Sequence, residues 1–313
     1  MLTSQQNFRA YAMLVTGGVC LGMSPVVVKA LPISADLSAF YRVAFSAPLF
    51  MLWALWDRPN AARRAEAGEG EPAAPAAAKR MLYMLYGLAA LLFAADLVAM
   101  HVAIRLTNAS IATLFTNCAP FFVGVYGILG LTDRPKRAFW QALPVALLGA
   151  TLLVGVSAFT SGGDLWGDAI ALLAGAFYAA YLVTVRQLKL AGASSVSIMV
   201  IVTAGSALCL LPLVFLGGGF VSASLSTWGL IAVLVLIGQV AGQGLVTGAL
   251  KHLPVTSSSI VLLIQPVVAA PLSWVFLSET LSLLQITGMG LVLFSIAVVV
   301  RPQRREVAAE AAG

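Results

Sequence analysis

Three ionisable side chains stand inside stretches otherwise too apolar to hold water: Arg42 in the run 37–56, and Asp96 and His101 in the run 82–104. A charge at mid-membrane costs about 2.5–3.5 kcal/mol on insertion scales, so each is a candidate for function. Arg42 and Asp96 are expected to pair across neighbouring helices. Such a pair serves either to carry and release a proton, on Asp96, or only to staple two helices together. Asp96 and His101 are five apart and sit roughly 140° round a helix, so they cannot both face one cavity squarely. His101 reads as an interfacial histidine at the outer boundary.

A second set of polar residues follows helical spacing. Ser110, Thr113, Asn117 and Pro120 fall at i, i+3, i+7 and i+10 and so share one face of a helix. Thr256, Ser259 and Pro266 repeat the pattern later, with Ser258 and Gln265 added. Polar faces of this kind line a cavity or feed hydroxyls to their own and neighbouring carbonyls; their duplication favours the cavity. Pro120 and Pro266 each remove a backbone donor, which marks candidate kinks or hinges. Tyr178, Tyr181, Gln239 and Gln243 offer aromatic faces and amides at mid-membrane depth, which suit an amphipathic organic molecule better than a bare ion.

The elements that position these residues are membrane helices. The chain has 313 residues, 60% of them hydrophobic and 10% charged, with a mean hydropathy of +0.97. No soluble domain keeps its surface wet with that composition. About 20 apolar residues cross a ~30 Å core, and on that measure ten spans are expected. They are 11–29, 37–56, 82–104, 109–130, 138–157, 167–186, 197–217, 228–249, 255–277 and 284–300. The first is read as a retained span and not a signal peptide, for it lacks a small-x-small cleavage site. With the N-terminus inside, fifteen of the eighteen Lys and Arg lie in cytoplasmic segments, and Lys29 and Arg105 lie outside. That bias places both termini in the cytoplasm. The stretch 57–80, rich in Ala, Glu, Arg and Pro, reads as a disordered or loosely helical cytoplasmic loop.

The chain also repeats itself. At an offset of 146 residues Arg105 matches Lys251, Ser110 matches Thr256, Thr113 matches Ser259, Pro120 matches Pro266 and Asp133 matches Glu279. Lys29 matches Arg186 at 157, and the 11 extra residues belong to the loop. The expected halves are 11–157 and 167–301, five spans each. Because five is odd, two such copies cross the bilayer in opposite senses, which makes an inverted repeat with a site near mid-membrane.

Ten spans in two halves, Phe40-Tyr41-Arg42 near the start of the second span, the duplicated hydroxyl stretches ending at Pro120 and Pro266, and the closing Asp133 and Glu279 together resemble the EamA family of the drug/metabolite transporter superfamily. The resemblance covers about residues 11–301. It implies a secondary carrier or exporter of small metabolites, such as amino acids or related compounds, working by alternating access. The cavity is expected from spans one, three, four, six, eight and nine, in a bacterial inner membrane.

Other functions fit less well. The basic residues lie singly or in short clusters between apolar runs, which argues against nucleic acid as a partner. No GxxxxGK[ST] loop or HExxH pair occurs. Cys20, Cys118 and Cys209 sit in apolar runs at no metal-ligand spacing, so neither a metal nor a cofactor is expected. An intramembrane enzyme needs a converging nucleophile, acid and base, and a channel needs a continuous polar file; both stay as alternatives. The expected partners are the lipid bilayer, a small-molecule substrate and a coupling ion such as the proton. Oligomeric state is not legible.

Overall fold

The computed structural model describes the backbone of residues 4–66, 76–107, 109–154, 164–220, 224–278 and 281–312. Among them there is no strand. The helices are α1 (Ser4–Ala30), α2 (Ala35–Glu66), α3 (Ala76–Leu106), α4 (Ala109–Thr116), α5 (Ala119–Ile128), α6 (Arg137–Val154), α7 (Leu165–Leu190) and α8 (Ser195–Leu216). Then come α9 (Leu225–Val233), a π-helical segment (Leu234–Gln243), α10 (Gly244–Ala249), α11 (Val255–Val261), α12 (Ile264–Leu277) and α13 (Leu283–Ala312).

These form ten crossings. Among the described residues nine helical stretches are long and apolar enough to span a bilayer, and the fourth crossing consists of the shorter α4 and α5. The spans run from 18 to 26 residues, or about 27–39 Å at 1.5 Å per residue. Trp56, Leu52, Leu208, Phe276 and Phe294 point outward and are exposed. Large apolar residues on the outside are what a lipid-facing surface requires. Helix starts are held by side chains: Ser34, Asp164, Ser194 and Ser224 accept backbone N–H groups of the first turn. The loop at 57–80 is shorter than its composition suggests, since α2 continues to Glu66 and α3 begins at Ala76.

Packing pairs the halves. α3 packs on α7 as α1 packs on the span α9–α10, and α4 and α5 pack on α7 as α12 packs on α1. α2 packs on α8, and α6 on α13. Exchanging the halves maps each pairing onto another or onto itself.

The fourth and ninth crossings are both broken. α4 stops at Thr116 and α5 starts at Ala119, while α11 stops at Val261 and α12 starts at Ile264. Applying the offset of 146 superposes the two breaks to within a residue. Their cause is the proline just beyond. Pro266 has no N–H for the Leu262 carbonyl, which instead takes the Gln265 N–H at 3.1 Å; Pro120 likewise has none for the Thr116 carbonyl, and there the Cys118 N–H makes a tight i→i−3 bond to the Phe115 carbonyl at 3.1 Å. Each break is pressed against a glycine of the opposite half. A Cβ at Gly175 would lie 2.9 Å from the Phe115 oxygen, and one at Gly22 would lie 2.7 Å from the Gln265 oxygen.

A third glycine contact joins α6 and α13. A Cβ on Gly149 would sit 2.8 Å from the Gly288 carbonyl oxygen, and one on Gly288 would sit 2.6 Å from the Gly149 carbonyl oxygen. The two backbones touch reciprocally at this crossing, an approach that small residues make possible in membranes.

Candidate functional site

The polar side chains of the bundle interior gather where α2, α3, α7, the π segment and α12 meet. Arg42 of α2 donates from Nε to Gln239 Oε1 at 2.7 Å. Asp96 of α3 and Tyr178 and Tyr181 of α7 lie close enough to Arg42 to interact with it electrostatically. The Gln265 amide, in the first turn of α12, lies against the Tyr178 hydroxyl. Phe93, Tyr181 and Tyr178 form an aromatic ladder with ring centroids 4.8 Å and 6.0 Å apart. Arg42 and Asp96, both among the described residues, make no ion pair within 4.0 Å, and Gln239 holds the guanidinium Nε. The expected direct pair is thus replaced by a charge network with an amide inside it.

Among the described residues, five buried polar atoms of this region have no hydrogen-bond partner: Asp96 Oδ1, Tyr181 Oη, Gln239 Nε2, Gln243 Oε1 and Ser24 Oγ. Thr247 sits beside Tyr181 yet donates its own hydroxyl to Met199 Sδ at 3.2 Å. Ser24 reaches the cluster from α1, where it touches Gly238 of the π segment. Buried polar groups are paired in the great majority of cases, and an orphan costs about 1–3 kcal/mol. The five are of both donor and acceptor type.

The π segment helps build it. Gln239 and Gln243 both lie in this ten-residue stretch, where i→i+5 bonds replace the α register. Segments of this kind recur at functional sites. Both glutamines are almost wholly buried, at 0% and 2% exposure.

Other expected site residues sit apart from this chemistry. Ser259 and Ser258 of α11 donate to the Thr256 and Pro254 carbonyls of their own helix, at 2.9 Å and 2.8 Å. Thr113 and Asn117 are half-buried at the end of α4, where Asn117 N–H bonds the Thr113 carbonyl at 3.0 Å. The side chains of Ser110 and His101 lie outside the described residues, as does Glu279. Pro120 and Pro266 occupy the first turns of α5 and α12, next to the two breaks. Tyr126 of α5 donates to the Ala176 carbonyl at 3.2 Å. Among the described residues, no three or more of His, Cys, Asp and Glu are placed to hold a metal ion.

A second polar assembly closes one end of the bundle. Arg186, at the end of α7, donates to the Leu250 and Lys251 carbonyls at 2.6 Å and 2.8 Å and pairs with Asp133 at 3.4 Å. Asp133 also accepts the Val255 N–H at 3.2 Å, so it caps α11 from the other half of the chain. Gln187 adds a bond to the Leu131 carbonyl at 3.0 Å. One arginine and one aspartate thus tie the turn between α10 and α11 to the loop after α5.

Sequence alone marks Asp133 and Arg186 by their place in the repeat, and it does not mark Ser24 or Thr247; the one local signal is that Ser24 stands next to Pro25 in the first span. Span two also enters the site, through Arg42.

The profile of the EamA-like transporter family matches residues 8–155 and again residues 165–301. Among curated proteins, the pseudopaline exporter CntI of Pseudomonas aeruginosa is 28% identical over 193 residues, 62% of this chain. That match spans 66% of the exporter's length, just under two thirds. The uncharacterized transporter YwfM of Bacillus subtilis is 29% identical over 229 residues, covering 72% of this chain and 76% of its own. A chain of known crystal structure superposes with a TM-score of 0.73 over 97% of this chain and 99% of that one, at 16% identity. That likeness concerns the fold alone.

Proposed function

As the chain belongs to the EamA-like transporter family, we propose that it is a secondary transporter that exports small organic metabolites such as amino acids or related compounds. The observation that carries this reading is the group of five unpartnered buried polar atoms beside Arg42. A molecule with a carboxylate or similar anionic group meets the guanidinium, and its remaining donors and acceptors meet Asp96, Tyr181, Gln239 and Gln243. The export direction is supported by the relative named as a pseudopaline exporter.

The cycle is alternating access. Residues 11–157 and 167–301 act as two five-span halves of opposite sense, and the repeated breaks and exchanged pairings support that view. The Arg186–Asp133 assembly then closes one side, and transport requires it to open. The charge bias puts that side, and both termini, in the cytoplasm of a bacterial inner membrane.

The test is a comparison of spent media. Cells expressing the chain are compared with cells expressing a Gln239→Leu plus Gln243→Leu double variant at equal membrane level. The expected result is a small set of metabolites that accumulates outside only with the unaltered protein. Matching profiles at matched levels refute export through this site.

A further inference from the structure

A groove of about 480 Å³ runs along the outside of the bundle between α1, α2, α8 and the end of the eighth crossing. Met13, Phe50, Trp53, Val240, Gly244 and Leu245 form its apolar walls. It lies within membrane spans, so acyl chains are its natural solvent. Its size falls in the range of sites that hold small organic ligands.

One end of the groove is different. Ser195 and Gly248 line it there, and Ser195 Oγ accepts Lys189 Nζ at 2.9 Å. The serine keeps its own hydroxyl hydrogen to donate. Lys251 is exposed three residues beyond Gly248, and Arg9 is exposed one helical turn before Met13. Lys251, Lys189 and Arg186 are each within electrostatic reach of His252, and Lys251 is within reach of Lys189. Partial burial first, and then the three cations, hold the His252 imidazole below its ordinary pKa, so it stays neutral at pH 7. Asp133 balances Arg186, and Asp57, one turn beyond Trp53, has a partner of its own. Lys251 and Arg9 remain as an exposed basic rim, with the buried Lys189 behind them, its Nζ donating to the Ala193 carbonyl and to Ser195 Oγ at 2.9 Å each.

We infer that this groove binds one anionic phospholipid, its acyl chain along Phe50, Trp53 and Gly244 and its phosphate at the rim of Lys251, Lys189 and Ser195. Basic pockets between spans are a recognised mode of anionic headgroup capture, and charge complementarity selects such a lipid over a zwitterionic one. The site is separate from the central cluster but adjoins it. Met199 lines the groove and accepts the hydroxyl of Thr247, the neighbour of Tyr181. An occupied groove would therefore buttress one wall of the central cluster.

The test is native mass spectrometry of the full chain in mild detergent, titrated with dioleoylphosphatidylglycerol or dioleoylphosphatidylcholine. The unaltered protein is expected to retain one phosphatidylglycerol in preference to phosphatidylcholine. Lys251→Gln, an exposed change, should lower that preference about fivefold, as expected for one cation near the headgroup. Gly244→Leu fills the groove where a Cβ would lie 3.7 Å from Phe50, and it should abolish retention of both lipids. Should Gly244→Leu fail to fold, Lys251→Gln decides alone. Equal retention of the two lipids by the unaltered protein, an unchanged preference in Lys251→Gln, or a dimer of the chain in place of the lipid-bound monomer overturns the proposal.

Discussion

Replacing Gln243 by methionine should stabilise the ligand-free protein and at the same time impair transport. Gln243 is 2% exposed, and its Oε1 has no hydrogen-bond partner on the protein. Removing a buried acceptor that is not satisfied relieves about 1–3 kcal/mol. Methionine is close to glutamine in shape and adapts to irregular gaps, so repacking costs less than about 1.5 kcal/mol. The expected net gain is on the order of 1 kcal/mol. Gln239→Met supplies the contrast. There the lost acceptor serves the buried Arg42 guanidinium at 2.7 Å, and stranding a charged donor costs about 1.5–3 kcal/mol. That loss exceeds or cancels the relief of removing the orphaned Nε2. The assay is equilibrium unfolding in mixed micelles, with both variants beside the unaltered chain, followed by transport of whatever metabolites the spent-medium comparison identifies. The two substitutions should move stability in opposite directions or differ by at least about 1.5 kcal/mol, while both reduce transport. If both destabilise equally, or if Gln243→Met transports normally, the orphaned atoms are not a ligand site.

Further outcomes follow from other parts of the structure. Asp96→Asn should leave exchange of labelled substrate intact and abolish uphill transport if Asp96 couples the cycle to protons; loss of the folded protein, seen by size exclusion, identifies it as a structural staple. Asp133→Asn weakens both the Arg186 pair and the charge at the start of α11, and should cost about 1 kcal/mol in unfolding while raising protease cleavage in the turn before Val255. Gly175→Ala places a methyl 2.9 Å from the Phe115 oxygen and should destabilise by about 1–3 kcal/mol, whereas Gly87→Ala meets nothing within 4 Å and should be neutral in the same unfolding assay.

The spans were legible because hydrophobic length is dictated by the bilayer; α1, α2 and α13 reach past the expected ends, to Ser4, Glu66 and Ala312, through polar sequence that hydrophobic length does not register. The breaks were half legible. Pro120 and Pro266 announced them, but the chain yields a turn earlier, where the carbonyls that lose a proline partner rearrange. The face of Ser110, Thr113 and Asn117 could not distinguish a cavity wall from self-bonded hydroxyls, since both obey the same spacing; in α11 the serines chose their own carbonyls. Arg42, Asp96, Tyr178, Tyr181, Gln239, Gln243 and Gln265 were found by type and depth. Their meeting depends on which spans touch, a property that one chain read linearly does not carry. The π register was also illegible, because periodicity over ten residues barely separates it from an α-helix and packing against α1 accompanies it.

The reciprocal contact of Gly149 and Gly288 has an energetic signature of its own. Each residue's missing side chain is the room for the other's backbone, so a methyl on either one forces the same two strands of peptide apart. The second methyl then enters space that the first has already opened. The two alanine substitutions should therefore be subadditive, the double variant costing less than the separate losses combined, with a coupling of about 0.5–3 kcal/mol for groups that share one gap. Ordinary neighbours lose a contact once per mutation; here the pair behaves as a single degree of freedom.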